Sequence, residues 1–210
     1  MTALTISVLS AQPDPYAAVP TLLLRLRLEA PEAEPVHAIV LKAQIRIEPQ
    51  RRRYSPEEEE RLLELFGEAP QWGESLRPFL WTHVTTTVAA FTGSTEIDLP
   101  VTCTYDFEVA AAKYLHSLGD GDIPLVLLFN GTTFSVREGG LIVQPIAWNV
   151  EADHRLPVAV WRATMDTFFP NSGWIRLRRE TIDALTRYKA DRALTSWEDT
   201  VERLLKEAGP

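Results

Sequence analysis

The feature that most constrains this chain is strict two-residue alternation, repeated in several separate runs. Between residues 21 and 28, Leu22, Leu24, Leu26 and Leu28 fall on one side, and Arg25 and Arg27 on the other. Between residues 39 and 47, Ile39, Leu41, Ala43, Ile45 and Ile47 oppose Lys42, Gln44 and Arg46. The longest such run places Ile97, Leu99, Val101, Cys103, Tyr105 and Phe107 against Asp98, Thr102, Thr104, Asp106 and Glu108. Successive side chains of a strand point to opposite faces, so each run predicts a strand with one buried face. Further strands are expected at 5–9, 80–91 and 141–148. The runs 125–129 and 132–136 flank Asn130-Gly131, which predicts a two-residue hairpin there. The runs at 21–28 and 39–47 are expected to pair as antiparallel neighbours through a short connection.

Helical signals interrupt and then replace this pattern. Ser55, Pro56 and Glu58 form the start of a capped helix near 56–66, with Gly67 as its stop. Ala110–Leu118 reads as a short helix. From about residue 155 the period changes: Val158, Trp161, Met165 and Phe168 recur at helical spacing after Pro157. A second helix over 180–192 would turn Ile182, Leu185 and Tyr188 inward. A third would start at Thr195, with Glu198 in the capping-box position, and bury Trp197, Val201, Leu204 and Leu205. Trp174–Leu177 adds a short strand between them. The expected fold class is mainly β (α+β), with antiparallel β-sandwich-like sheets and a C-terminal helical region. One domain over residues 1–210 is expected: a β framework over 5–150, and a helical region over 155–207 packed on it. A sandwich and a single curved sheet both satisfy the pattern.

Composition removes several classes of function. Hydrophobic residues make up 45% of the 210-residue chain, too many for a disordered protein. A chain of this length buries roughly 70% of its unfolded surface and needs no disulfide framework. Cys103, the single cysteine, has no intrachain partner and shares the apolar face of its strand, so it reads as a small buried hydrophobe. The N-terminus lacks the pattern of a signal peptide, and no apolar run approaches the roughly 20 residues that span a bilayer. A cytoplasmic location is therefore expected. The net charge of -8 disfavours sequence-independent nucleic-acid binding. Arg51-Arg52-Arg53 is the dense basic spot, but Glu57–Glu60 follow at once and are expected to cancel its field.

No glycine-rich phosphate loop, nucleophile elbow or zinc-protease motif is present. His37, His83, His116 and His154 are not spaced as ligands, and no metal or cofactor is expected. Asp120-Gly121-Asp122 lacks the remaining oxygen ligands of a calcium loop and reads as a turn. Two constellations remain. Phe169, Pro170, Asn171, Ser172, Gly173 and Trp174 form an aromatic-flanked turn suited to a contact surface. Asp106, Glu108 and His116 lie around a strand-to-helix junction and provide the polar groups of a hydrolase-like site.

The stretch Tyr105-Asp106-Phe107-Glu108-Val109-Ala110-Ala111-Ala112-Lys113-Tyr114-Leu115-His116, the turn Phe169–Trp174, and the ending from Thr195-Ser196-Trp197-Glu198 to Leu205 carry a resemblance. Over about residues 5 to 205 the chain resembles an actinobacterial family of unknown function. Genes of that family tend to sit beside those for nickel–iron (NiFe) hydrogenases and hydrogenase-maturation factors. The resemblance implies an accessory role and supplies no catalytic residue. The leading expectation is a non-enzymatic accessory or adaptor protein. Its partner would be a protein, such as a hydrogenase subunit or maturation factor, held at an exposed strand edge or aromatic patch. The alternatives are an enzyme working through Asp106, Glu108 and His116, and a metal chaperone. Homo-oligomerisation is left open.

Overall fold

The computed structural model describes residues 4–31, 35–103, 109–137, 140–170, 172 and 175–209. The chain forms two compact units, Met1–Gly173 and Trp174–Pro210. The first holds the strands β1 (Thr5–Pro13), β2 (Thr21–Glu29), β3 (Val36–Ile47), β4 (Phe79–Val88), β5 (Ser94–Thr102), β6 (Asp122–Arg137), β7 (Gly140–Pro145) and β8 (Glu151–Pro157). Its helices are α1 (Pro56–Phe66), α2 (Trp72–Ser75), α3 (Ala110–Ser117) and α4 (Val158–Phe168). The second unit holds α5 (Arg179–Asp191) and α6 (Trp197–Ala208).

Two antiparallel sheets make the β-sandwich-like α+β framework. One runs in the order β1-β2-β5. The other runs β4-β3-β6-β7, with β8 also paired to β6. The strands β2 and β3 do not pair with each other, contrary to the sequence expectation. Each is a middle strand of a different sheet. The reason lies in their shared pattern. Leu22, Leu24, Leu26 and Leu28 on β2 and Ile39, Leu41, Ile45 and Ile47 on β3 are all fully buried in the same core. Two strands that each bury a complete aliphatic face gain more by stacking those faces than by sharing an edge. Each fully buried Leu or Ile contributes about 1.5–3 kcal/mol.

Three helices extend this core. Leu62 of α1, Tyr114 and Leu115 of α3, and Val158, Trp161 and Met165 of α4 are buried within it. The α1 start is the capping box expected from sequence. Glu58 N–H donates to Ser55 Oγ at 3.3 Å, and Ser55 N–H returns a bond to Glu58 Oε2 at 3.1 Å. Glu58 does more than cap. Its carboxylate also accepts from Gly119 N–H at 2.6 Å and from Arg52 Nη2 at 2.8 Å. These bonds together hold its pKa below the ordinary glutamate range against the opposing effect of burial. α2 follows, and its Trp72 is buried edge-on to Tyr54 at 5.1 Å.

Asn130-Gly131 is not a hairpin. Both residues lie inside the continuous strand β6, which pairs with β8 through 122–128 and with β7 through 132–137. Gly131 has φ +142°, and a Cβ there would sit 2.0 Å from the carbonyl oxygen of Val40 on β3. The glycine allows the backbone of a neighbouring strand to come close, which is the other physical role of glycine in a sheet. The strand β8 was not anticipated. In Glu151–Pro157 only Leu156 is fully buried, so its pattern is that of a polar segment.

In the second unit α6 begins one residue later than expected. Ser196 is the cap and Asp199 completes the box. Tyr188 of α5 donates to Glu207 of α6 at 2.9 Å. Ile182, Trp197, Val201 and Leu205, expected to be buried, are exposed. Residues 175–178 form no strand.

Candidate functional site

The outer edge of β7 carries a run of exposed apolar side chains. β3 occupies one edge of β6, so β7 and β8 lie in line along the other. Among the described residues no strand pairs with the far side of β7. Ile146 N–H donates to Gly131 O at 3.0 Å, and these two residues are directly opposite. Hydrogen-bonded and non-hydrogen-bonded pairs alternate along an antiparallel ladder. Residues 142, 144 and 146 therefore bond to β6, and the N–H and C=O groups of Leu141 and Val143 point away from it. Pro145 has no N–H to offer and ends the usable edge.

The side chains match the backbone. Leu141 is 61% exposed and Val143 55% exposed, with Val136 of β6, opposite Leu141, at 57%. Phe134 stands opposite Val143. Residues 146–150 continue along the same edge to β8, and there Trp148 is 94% exposed. Of the other sheet's two edge strands, β1 and β5, the second differs. Its outward positions are Ser94, Glu96, Asp98, Pro100 and Thr102, a set of charges and a proline that discourages strand addition. β4 exposes His83, Thr85 and Thr87 with Leu80.

The residues singled out in the sequence are distributed as follows. Asn171, Gly173 and Trp174 of the aromatic turn lie outside the described residues. Phe169 packs half-buried against the core, and its N–H donates to Met165 O at 2.8 Å, while Pro170 and Ser172 are exposed. Asp106 and Glu108 also lie outside the described residues. His116 is on α3, edge-on to the Trp161 ring at 4.7 Å between centroids. Burial, with Arg162 adding to it, lowers its pKa from 6.5 to about 4. Cys103 is buried, and burial pushes its thiol up to about 12, which leaves it protonated and unreactive at neutral pH. Among the described residues no group of three His, Cys, Asp or Glu side chains could hold a metal ion. Likewise no described helix is long and apolar enough to cross a membrane.

The β7 edge was missed in the sequence. A signal was present: Leu141-Ile142-Val143 shows no alternation with polar residues, which a strand facing water on one side should show.

Fold and edge together define a two-sheet α+β protein with an apolar strand whose outer edge has no partner among the described residues. The chain belongs to the family of unknown function DUF6084, whose model matches residues 1–210. No curated protein matches. Among solved structures, a β-glucosidase from Kluyveromyces marxianus is 5% identical with a TM-score of 0.27. That match covers 74% of this chain and 15% of the glucosidase chain. The Fcho1 mu homology domain of Danio rerio with bound Eps15 peptide is 12% identical with a TM-score of 0.16. It covers 73% of this chain and 49% of that one. The chain thus spans less than half the length of either structure.

Proposed function

We propose that this protein is a non-enzymatic accessory or adaptor protein that binds a protein partner by taking an extended segment of it as an added strand on β7. The observation that carries the proposal is the coincidence on one short strand of outward-pointing backbone groups and outward-pointing aliphatic side chains. Main-chain hydrogen bonds along such an edge supply affinity, and alternate side chains supply selectivity. The fitting partner segment is extended and apolar on alternate residues, so that it covers Leu141, Val143 and Val136. Trp148 at the end of the edge offers a large aromatic anchor of the kind that dominates binding energy. The resemblance to a hydrogenase-linked family makes a nickel–iron hydrogenase subunit or maturation factor the first partner to test.

Affinity purification from the native cell tests this reading. Tagged wild-type protein should recover a stoichiometric partner. Leu141→Lys with Val143→Lys should lose it, because two ammonium groups would have to be buried under the incoming strand. Both positions are exposed, so the double variant should keep its melting temperature. Equal recovery by wild type and double variant would remove β7 as the binding edge.

A further inference from the structure

The run Arg51-Arg52-Arg53 does not end up as the sequence suggests. Of the glutamates that follow it, only Glu58 reaches an arginine of the run among the described residues, while Glu57 accepts from Ser55 Oγ at 2.8 Å. The three arginines instead meet Arg155 of β8 around an open cleft of about 530 Å³, completed by Gly121 and Asp122. That volume lies within the range of small-molecule sites. Four of the chain's 21 Lys and Arg residues meet around this one cleft.

The arginines play different parts. Arg52 is fixed: its side chain is 8% exposed and is bound to Glu58 and to the carbonyls of Asp120 and Asp122. Arg51 is held by Asp153, with bonds of 2.7 and 3.3 Å to its two oxygens. Arg53 and Arg155 make no ion pair and no side-chain hydrogen bond among the described residues, and both are exposed. Asp122, Asp153, Glu58 and Glu48 balance the four arginines in number, so binding rests on Arg53 and Arg155, the two guanidinium groups that hold no carboxylate among the described residues. Among the described residues the walls carry no apolar side chain that would hold a base or a sugar ring.

We infer that this cleft is a binding site for a small, multiply charged oxyanion of the phosphate type, with Arg53 and Arg155 as its ligands. Two unpaired guanidinium forks from two different elements suit a compact group that presents several acceptor oxygens. Arg51 and Arg52, paired with Asp153 and Glu58, fix the walls of the cleft without having to reorganise. The site is independent of the β7 edge, and either assignment stands if the other fails.

Titration calorimetry of the full chain with inorganic pyrophosphate tests the inference. Saturable binding is expected, weakening as salt is raised. Arg53→Gln with Arg155→Gln should reduce affinity at least about tenfold. Both side chains are exposed and unpaired, so the melting temperature of this double variant without ligand should not move. Arg25→Gln, in an ion pair with Asp98 on the other sheet, is the control and should bind as wild type. Absence of saturable heat up to about 10 mM pyrophosphate, or an unchanged affinity in the double variant, overturns the site. A glutamate-rich peptide that saturates the cleft where pyrophosphate does not would overturn the phosphate assignment.

Discussion

Burial perturbs several side chains of this protein, and His116 shows the consequence most directly. Its imidazole lies against Trp161, with Arg162 nearby, and its pKa falls from 6.5 to about 4. The folded state therefore favours the neutral ring more than the unfolded state does. Stability from this residue is complete above pH 6.5 and is lost as pH falls from 6.5 towards 4. His154 is lowered by burial too, opposed by Asp122, and acts in the same direction. The carboxylates Glu58 and Asp153 have lowered values and lose their contributions only at more acidic pH. Thermal melts from pH 7 to 4.5 should thus show a falling midpoint, and His116→Gln should flatten that fall. Identical slopes for wild type and variant would mean that the His116 environment is wrongly described.

At the scale of elements, β6 is organised around one glycine. Any side chain at 131 meets the Val40 carbonyl and also needs an unfavourable backbone angle. Gly131→Ala should cost about 3 kcal/mol, read from urea unfolding. A cost below about 0.5 kcal/mol would contradict the close approach of β3 and β6. The same residue explains where the sequence was misleading. Asn-Gly between two apolar runs is the usual mark of a hairpin, and the same pair serves a close strand crossing inside a long strand. Local pattern correctly located β2, β3, α1, α3 and α4, because each carries its own periodicity or cap. It could not reveal which strands pair, since β2 and β3 have interchangeable patterns and only the stacking of two sheets separates them. β8 was hidden for a different reason. Its residues Glu151, Asp153 and Arg155 face outward at the margin of the sheet, and backbone pairing with β6 alone defines it. The candidate sites were legible only in part. The Arg51–Arg53 run was visible, but Arg155 joins it through pairing over a hundred residues away. The β7 edge needed the topology before its exposure could be recognised.

On the scale of the whole molecule, the sandwich separates two surfaces of opposite character. The outer edge of β7 is apolar with unpaired backbone groups, and the arginine cleft is polar with unpaired cations. Both features use β6, through its two successive partners β7 and β8. The central claim is that β7 receives a partner strand. Amide hydrogen exchange measures it most directly, because it reads the backbone groups that would form the new bonds. In the free protein the Leu141 and Val143 amides should exchange quickly, and those of Ile142 and Gln144, bonded to β6, more slowly. With a co-purified partner bound, Leu141 and Val143 should become protected. Protection that appears elsewhere while these two amides stay fast would contradict the account.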